Sequence, residues 1–391
     1  MDLGLPGAGE AGREPVHVGL NLIYLVPGET GGTEVVAREL LPALAAARPG
    51  VRFTSFVNFE AADTPSVWSD IGDVVTVPVR ASNRAQWVRG EQLLLPRLAH
   101  RSQVDLVHSL ANTGPARGDF KRVVTIHDLI HRIHPETHSG LRSAGMRVLV
   151  SLAARRADRV ITDAVSTRDD LVRLLGIPAD KIDVAPLGLG ARAAVEPRDE
   201  REIRRLYDLG DRHLLFTVSA KRPHKNLARL LEALALIPAT SRPVLVLPGY
   251  PTPYEAELRR LATDLGLDAD TRFLGWLPDA EIEGLYAAAA CFVFPSLYEG
   301  FGMPVLEAMS RGLPVVCSDR GSLREVAGDA ALLFDPASPR SIADAVQRIL
   351  SDQSLAARLR DMGRLQASRF TWRATADATL ASYDRALAAS A

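Results

Sequence analysis

Lysine and cysteine are both scarce in this sequence. Of its 46 basic side chains only Lys121, Lys181, Lys221 and Lys225 are lysines, so 42 are arginines. That bias reads mainly as base composition of the genome, and it makes each lysine position informative. The two cysteines, Cys291 and Cys317, lie in the apolar segments AAAACFVFP and PVVCSD. Such settings favour buried free thiols over a disulfide, which fits a reducing cytoplasm. Charge of one sign is missing too: 47 acidic residues against 46 basic leave a net −1, so no global positive field recruits nucleic acid. The longest apolar run, Leu285 to Phe294, is ten residues, and a membrane-spanning helix needs about twenty. Residues 1–14 read as a loose tail, and without an apolar stretch they do not form a signal peptide. What remains is a chain of 391 residues, 47% hydrophobic. That is ample core material for two or three domains at roughly 150 residues each.

Apolar runs with turn signals alternate with helical periodicity along the chain. Strands are expected at Val16–Ile23, Phe53–Val57, Val74–Val79, Leu106–Ser109, Val123–Ile126, Arg159–Thr162 and Ile182–Ala185. Thr33 is placed to cap the helix after the Gly31-Gly32 turn, and Ser166-x-x-Asp169 has the form of a capping box. Residues 186–199 are rich in Pro, Gly and Ala without periodicity and read as a linker. A second series follows, with strands at Leu214–Ser219, Val244–Leu247, Thr271–Leu274, Cys291–Phe294, Val315–Cys317 and Ala331–Phe334. Its helices are expected at 226–236, 254–265, 279–289, 304–311 and 338–351. Strand–helix alternation argues for an α/β chain of two doubly wound, Rossmann-like domains, 15–187 and 199–370, facing a cleft. In such sheets ligands sit outside the carboxyl ends of the strands.

Three constellations occupy those ends. In Pro295-Ser-Leu-Tyr-Glu299-Gly-Phe-Gly302-Met-Pro304-Val-Leu-Glu307, a glycine turn feeds a helix start, whose N–H groups and dipole suit a phosphate. Glu307, one turn inside, would repel a phosphate, yet it can accept two hydrogen bonds from the vicinal hydroxyls of a ribose. Glu299 can meet hydroxyls of a second sugar. Equally, both carboxylates suit a helix start on electrostatic grounds alone. The second group, Ser219-Ala-Lys221-Arg222-Pro-His224-Lys225-Asn226, gathers cations able to neutralise a diphosphate without metal. The third is His127-Asp128. Here His127 contacts a substrate hydroxyl, or HDLIH is a variant of the H-E-x-x-H metal motif. The second option needs a helix from 127 to 131, against the strand just ended and Pro135 close behind. His131, His134 and His138 read as surface residues. Gly188-Leu-Gly190-Ala-Arg-Ala193 matches a dinucleotide pattern, but Pro197 leaves no room for its long helix. Residues 80–159 carry 14 basic and 6 acidic residues, either an arginine-rich helix surface or a rim for an anionic acceptor or membrane.

With these residues in view the chain resembles the retaining glycosyltransferases of family 4, which have the two-domain GT-B fold. The likeness runs over 16–390 through GGTEVVARELL, TIHDL, VAPLG, KRPHKN, FLGWLPDAEIEGLY and PSLYEGFGMPVLEAM. In the last, Glu299 and Glu307 fall in register with the family's E-x7-E motif. The resemblance implies that Lys225 grips the donor diphosphate, Glu307 holds the nucleotide ribose and Glu299 lies near the donor sugar. It implies that the backbone of Gly300, Phe301, Gly302, Met303 and Val305 meets diphosphate and sugar. His127 would stand beside the transferred sugar, Gly32 at the diphosphate and acceptor side, and residues 273–276 at the base. Arg222 would replace the family arginine that is absent at Ser219. The C-terminal helix 371–391 is expected to cross back to the first domain. The implied activity is metal-independent transfer of a sugar, with retention, from a UDP-, GDP- or dTDP-linked donor, and no further cofactor. The acceptor would be a carbohydrate, lipid-linked or small-molecule hydroxyl. Other readings stay open: a nucleotide-sugar epimerase, a non-catalytic nucleotide-sugar binder, or a metallohydrolase on the histidines. The location implied is cytoplasmic, with contact to a membrane surface left open.

Overall fold

The computed structural model describes residues 15–64, 66–137, 141–190 and 195–388. The expected tail at 1–14, His138 and residues 191–194 of the expected linker lie outside them. Among the described residues thirteen strands form two sheets. The first contains β1 (His17–Leu22), β2 (Arg52–Val57), β3 (Asp73–Thr76), β4 (Leu106–Ser109), β5 (Lys121–Thr125), β6 (Arg159–Thr162) and β7 (Ile182–Val184), in the order β3-β2-β1-β4-β5-β6-β7. The second contains β8 (Leu214–Phe216), β9 (Val244–Leu247), β10 (Thr271–Phe273), β11 (Cys291–Phe294), β12 (Val315–Ser318) and β13 (Leu332–Phe334), in the order β10-β9-β8-β11-β12-β13. The strand pairs are parallel. The expected doubly wound α/β architecture is therefore present. In each sheet the order reverses once, at β1/β4 and at β8/β11, and such switch points open a crevice at the carboxyl ends of the strands.

The described residues divide into two compact units, one falling within 1–125, 156–159 and 380–391, the other within 126–155 and 160–379. In the first unit β1 is buried along its whole length, because both faces of a parallel strand are covered. The helix Gly32–Ala47 buries Val36, Leu40, Leu41 and Leu44 at helical spacing. Its start departs from expectation. Thr33 makes no cap; Gly31, at φ 71°, takes the N-cap position. The carboxylate of Glu34 reaches back to accept the Gly28 N–H at 2.8 Å, and Arg38 donates to its other oxygen.

In the second unit the helix Leu227–Leu236 buries Leu227, Leu230, Leu231 and Leu234, each burial favourable by about 1.5–3 kcal/mol before entropy is counted. Cys291, in this core, and Cys317 are buried free thiols. The capping box expected at Ser166–Asp169 does not form, since the helix begins at Val165 with Ala164 at its N-cap. A carboxylate from far along the chain does that work: Glu325 accepts the N–H groups of Val165 and Ser166 at 2.8 and 2.7 Å. Gly176 closes the same helix in the left-handed conformation at φ 66°. The division into units falls inside the helix Trp372–Ala388. No described helix is long and apolar enough to cross a membrane.

Candidate active site

The loop leaving β11 runs directly into the helix Met303–Ser310. Gly302 occupies its N-cap at φ 116°, a conformation that an L side chain rarely adopts, and Pro304 sits in the first turn. The Val305 N–H closes the turn onto the Gly302 carbonyl at 3.0 Å. The N–H groups of Phe301, Gly302 and Met303 have no acceptor among the described residues. Phe301 is buried with its ring 5.7 Å from that of Phe370. Gly300 lies so close to His127 that a Cβ there would stand 2.2 Å from the His127 carbonyl oxygen. One turn inside the helix, the Glu307 carboxylate accepts the Tyr286 hydroxyl at 3.2 Å. Burial and the Glu307 charge keep that phenol well above its usual range, so it acts as a donor. Arg311 donates to the Glu307 carbonyl, pairs with Glu283 and lies over the Tyr286 ring at 4.5 Å.

The turn after β8 meets this loop from the other side of the switch point. Leu297 donates its N–H to the His224 carbonyl at 2.9 Å. Asn226, at φ 59°, donates from Nδ2 to the carbonyls of Pro295 and Pro336. These bonds bring Lys225 to Glu299, with Nζ 2.6 Å from Oε1 and both side chains mostly covered. The Lys225 ammonium also lies 5.5 Å from the centre of the Phe294 ring. Arg222 is exposed.

Lys221 does not join this group, contrary to the sequence reading of the basic turn. It is fully buried, and its ammonium donates to the carbonyls of Gly249 and Leu274 with Glu255 at 3.8 Å. Burial pushes its pKa down to about 8. It ties the loops after β9 and β10 together and does not reach for an anion. Those loops carry Trp276 and Tyr250, both largely exposed and stacked at 4.8 Å.

His127 precedes the short helix Ile130–Ile133, so His127 and His131 do not share one helical face. His131 is buried, contrary to its expected place on the surface. The His127 ring, also buried, holds Nδ1 2.7 Å from Oδ2 of Asp163. No three His, Cys, Asp or Glu side chains gather as a metal-holding group among the described residues. Gly32 lies in the first unit at the start of the helix Gly32–Ala47, with no neighbour near the position of a Cβ. A separate depression of about 500 Å³, lined by Asp208, Arg212, Asp268 and Arg272, sits at the amino ends of β8 and β10 and contains none of these residues.

The second unit thus gathers Lys225, Glu299 and the 300–307 turn at the carboxyl ends of β8 and β11, with the backbone of His127, which follows β5 of the other sheet, against Gly300. Uncommitted N–H groups, an ammonium and two carboxylates stand within a few residues of one another. That set can receive a doubly charged phosphate group and hydroxyl-bearing rings together. Asp163, Tyr286 and Arg311 are not singled out by the sequence, and Asn226 appears there only as the end of the basic turn. Asp163 alone carried a signal, as an acidic residue directly after a strand end.

Residues 199–366 match the family described as Glycosyl transferases group 1, and residues 30–190 that described as Glycosyltransferase Family 4. The chain is 34% identical to the O-antigen chain mannosyltransferase B of Escherichia coli over 67% of its own length and 70% of that protein. Against the serotype-specific mannosyltransferase WbdA of the same organism the match spans only about a third of the relative. Among solved structures, sucrose-phosphate synthase from Thermosynechococcus elongatus superposes with a TM-score of 0.76 at 23% identity, covering 96% of this chain and 100% of that one. Anabaena HepE, solved with UDP and glucose, superposes at 0.69 with 22% identity over 94% and 99%. These two likenesses are likenesses of fold.

Proposed function

Because the chain belongs to the family 4 glycosyltransferases, we propose that it moves a hexosyl unit from a nucleoside-diphosphate sugar to an acceptor hydroxyl with retention at the anomeric carbon. The observation that carries this reading is the Lys225–Glu299 pair set against the open N–H groups of Phe301, Gly302 and Met303. Breaking the bond between the anomeric carbon and phosphate oxygen leaves the sugar oxocarbenium-like and adds negative charge to the diphosphate. Lys225, Arg222 and the helix start receive that charge without a divalent ion, and each such donor is worth several kcal/mol in a preorganised site. Glu307, oriented by Tyr286, takes the ribose diol, and Trp276 stands by the base. Glu299 and His127 orient the transferred sugar. The departing phosphate oxygen accepts the acceptor proton. Mannosyl is the unit that the relatives favour, and the acceptor is a carbohydrate, lipid-linked or small-molecule hydroxyl. The exposed arginines of the 80–159 region, Arg80, Arg84, Arg89, Arg97 and Arg101, suit an anionic membrane surface that presents such an acceptor.

The test is a stability screen against UDP, GDP, ADP and dTDP, since a bound ligand raises the melting temperature by mass action. One nucleotide should do so, equally with a chelator present, and Glu307→Ala should reduce its affinity by calorimetry. Lys225→Ala should cut turnover at least tenfold. Unchanged affinity in the first variant or a normal rate in the second would remove the assigned role. Product formed without any acceptor would instead favour an epimerase.

A further inference from the structure

Two neighbouring strand ends hold a buried acid–imidazole pair. β5 and β6 are adjacent in the first sheet. Ile126 donates its N–H to the Ile161 carbonyl at 2.8 Å, so the chains leave the sheet in step. His127 follows β5 after Ile126, and Asp163 directly follows β6. Asp163 is 2% exposed, and its Oδ2 lies 2.7 Å from His127 Nδ1. Its other oxygen, Oδ1, is buried and has no hydrogen-bond partner among the described residues. A buried carboxylate is costly unless its charge is compensated, and the imidazole N–H is the compensation that the geometry supplies. The backbone of the same histidine is pinned as well, with its carbonyl pressed against Gly300.

We infer that Asp163 is a positioning residue for the transfer reaction. It keeps the His127 proton on Nδ1 and the ring in one orientation, so that Nε2 is the nitrogen offered to the sugar. This rests on the reading that His127 stands beside the transferred unit. An imidazole whose Nδ1 were free to lose its proton would present Nε2–H in one molecule and a bare Nε2 in the next. A carboxylate removes that choice, because it accepts and cannot donate. An asparagine in its place can donate from its amide and so favours the opposite tautomer.

Nitrogen-15 NMR of histidine-labelled protein reads the tautomer directly, with His127→Gln assigning the signal. In the neutral ring the proton should reside on Nδ1, and in Asp163→Asn it should move to Nε2. The variant should lose at least tenfold in kcat, with KM for the donor and the affinity for nucleoside diphosphate within twofold of the wild type. In a His127→Ala background the same substitution should cost less than twofold more. A wild-type ring carrying its proton on Nε2, or a ring in Asp163→Asn with the proton still on Nδ1, overturns the inference, and the first result needs no variant to fold. A tautomer that moves while kcat stays constant leaves the pair intact but removes His127 from the sugar, which is a failure of the functional reading instead.

Discussion

At Gly300 the absence of a side chain is a steric requirement. The atom that a Cβ would strike, the His127 carbonyl oxygen at 2.2 Å, belongs to backbone and cannot swing aside. Gly300→Ala should therefore destabilise the protein by about 1–3 kcal/mol and cut turnover, because the same displacement moves His127 or the 299–303 turn. A melting curve and a rate assay check it, and an unchanged melting temperature would show that the loop shifts without cost. The lysines illustrate what residue identity can and cannot convey. Lys221 and Lys225 looked alike in a basic turn. Four residues apart, one is sealed against the carbonyls of Gly249 and Leu274 while the other faces Glu299. Nothing local distinguishes them, because the carbonyls that claim Lys221 come from two other loops.

Among the elements, strands and helices in the second series sit within one to three residues of their expected bounds. Cys291–Phe294 and Val244–Leu247 coincide with expectation, since short apolar runs between turn signals read plainly as buried parallel strands. The segment Arg84–Arg101 is not legible in the sequence as one helix. It is a helix interrupted by a π-helical turn at Gly90–Leu94, which breaks the usual period. The interruption turns Glu91 inward, where it accepts from Asn21 and Thr113, and Gln92 donates to its other oxygen. Burial raises its pKa from 4.5 to about 7. The folded protein therefore binds one more proton than the unfolded chain between those values. The associated stability is fully present below pH 4.5 and is lost as pH rises through about 7. The full loss is of order 3 kcal/mol. Denaturant unfolding of Glu91→Gln should lack this fall, so the variant gains on the wild type as pH rises. Parallel pH profiles would refute the assignment.

On the scale of the whole molecule, a net charge of −1 hides an uneven distribution. Arg80, Arg84, Arg89, Arg97 and Arg101 are exposed in the first unit, with Leu93 55% exposed among them. If this surface meets membrane as proposed, the protein should sediment with vesicles containing anionic lipid, and release should follow added salt. Arg89→Glu with Arg97→Glu should reduce sedimentation several-fold while leaving nucleotide affinity unaltered. Equal recovery with neutral and anionic vesicles would argue for an arginine-rich surface without that role. Most of the architecture needed no tertiary information, because two runs of strand–helix alternation admit few arrangements.

Read alone, the sequence determined the two doubly wound sheets, the glycine turn before Pro304 and the family to which the chain belongs. Those features are local, written in periods of two and 3.6 residues and in the backbone freedom of glycine. Only the tertiary structure decided which charged group meets which: Glu325 on the helix start at Val165, Glu34 on Gly28, Lys225 on Glu299, and Asp163 on His127. A charge takes whichever partner lies within about 3 Å, and parallel sheets bring strand ends that close from residues tens or hundreds of positions apart.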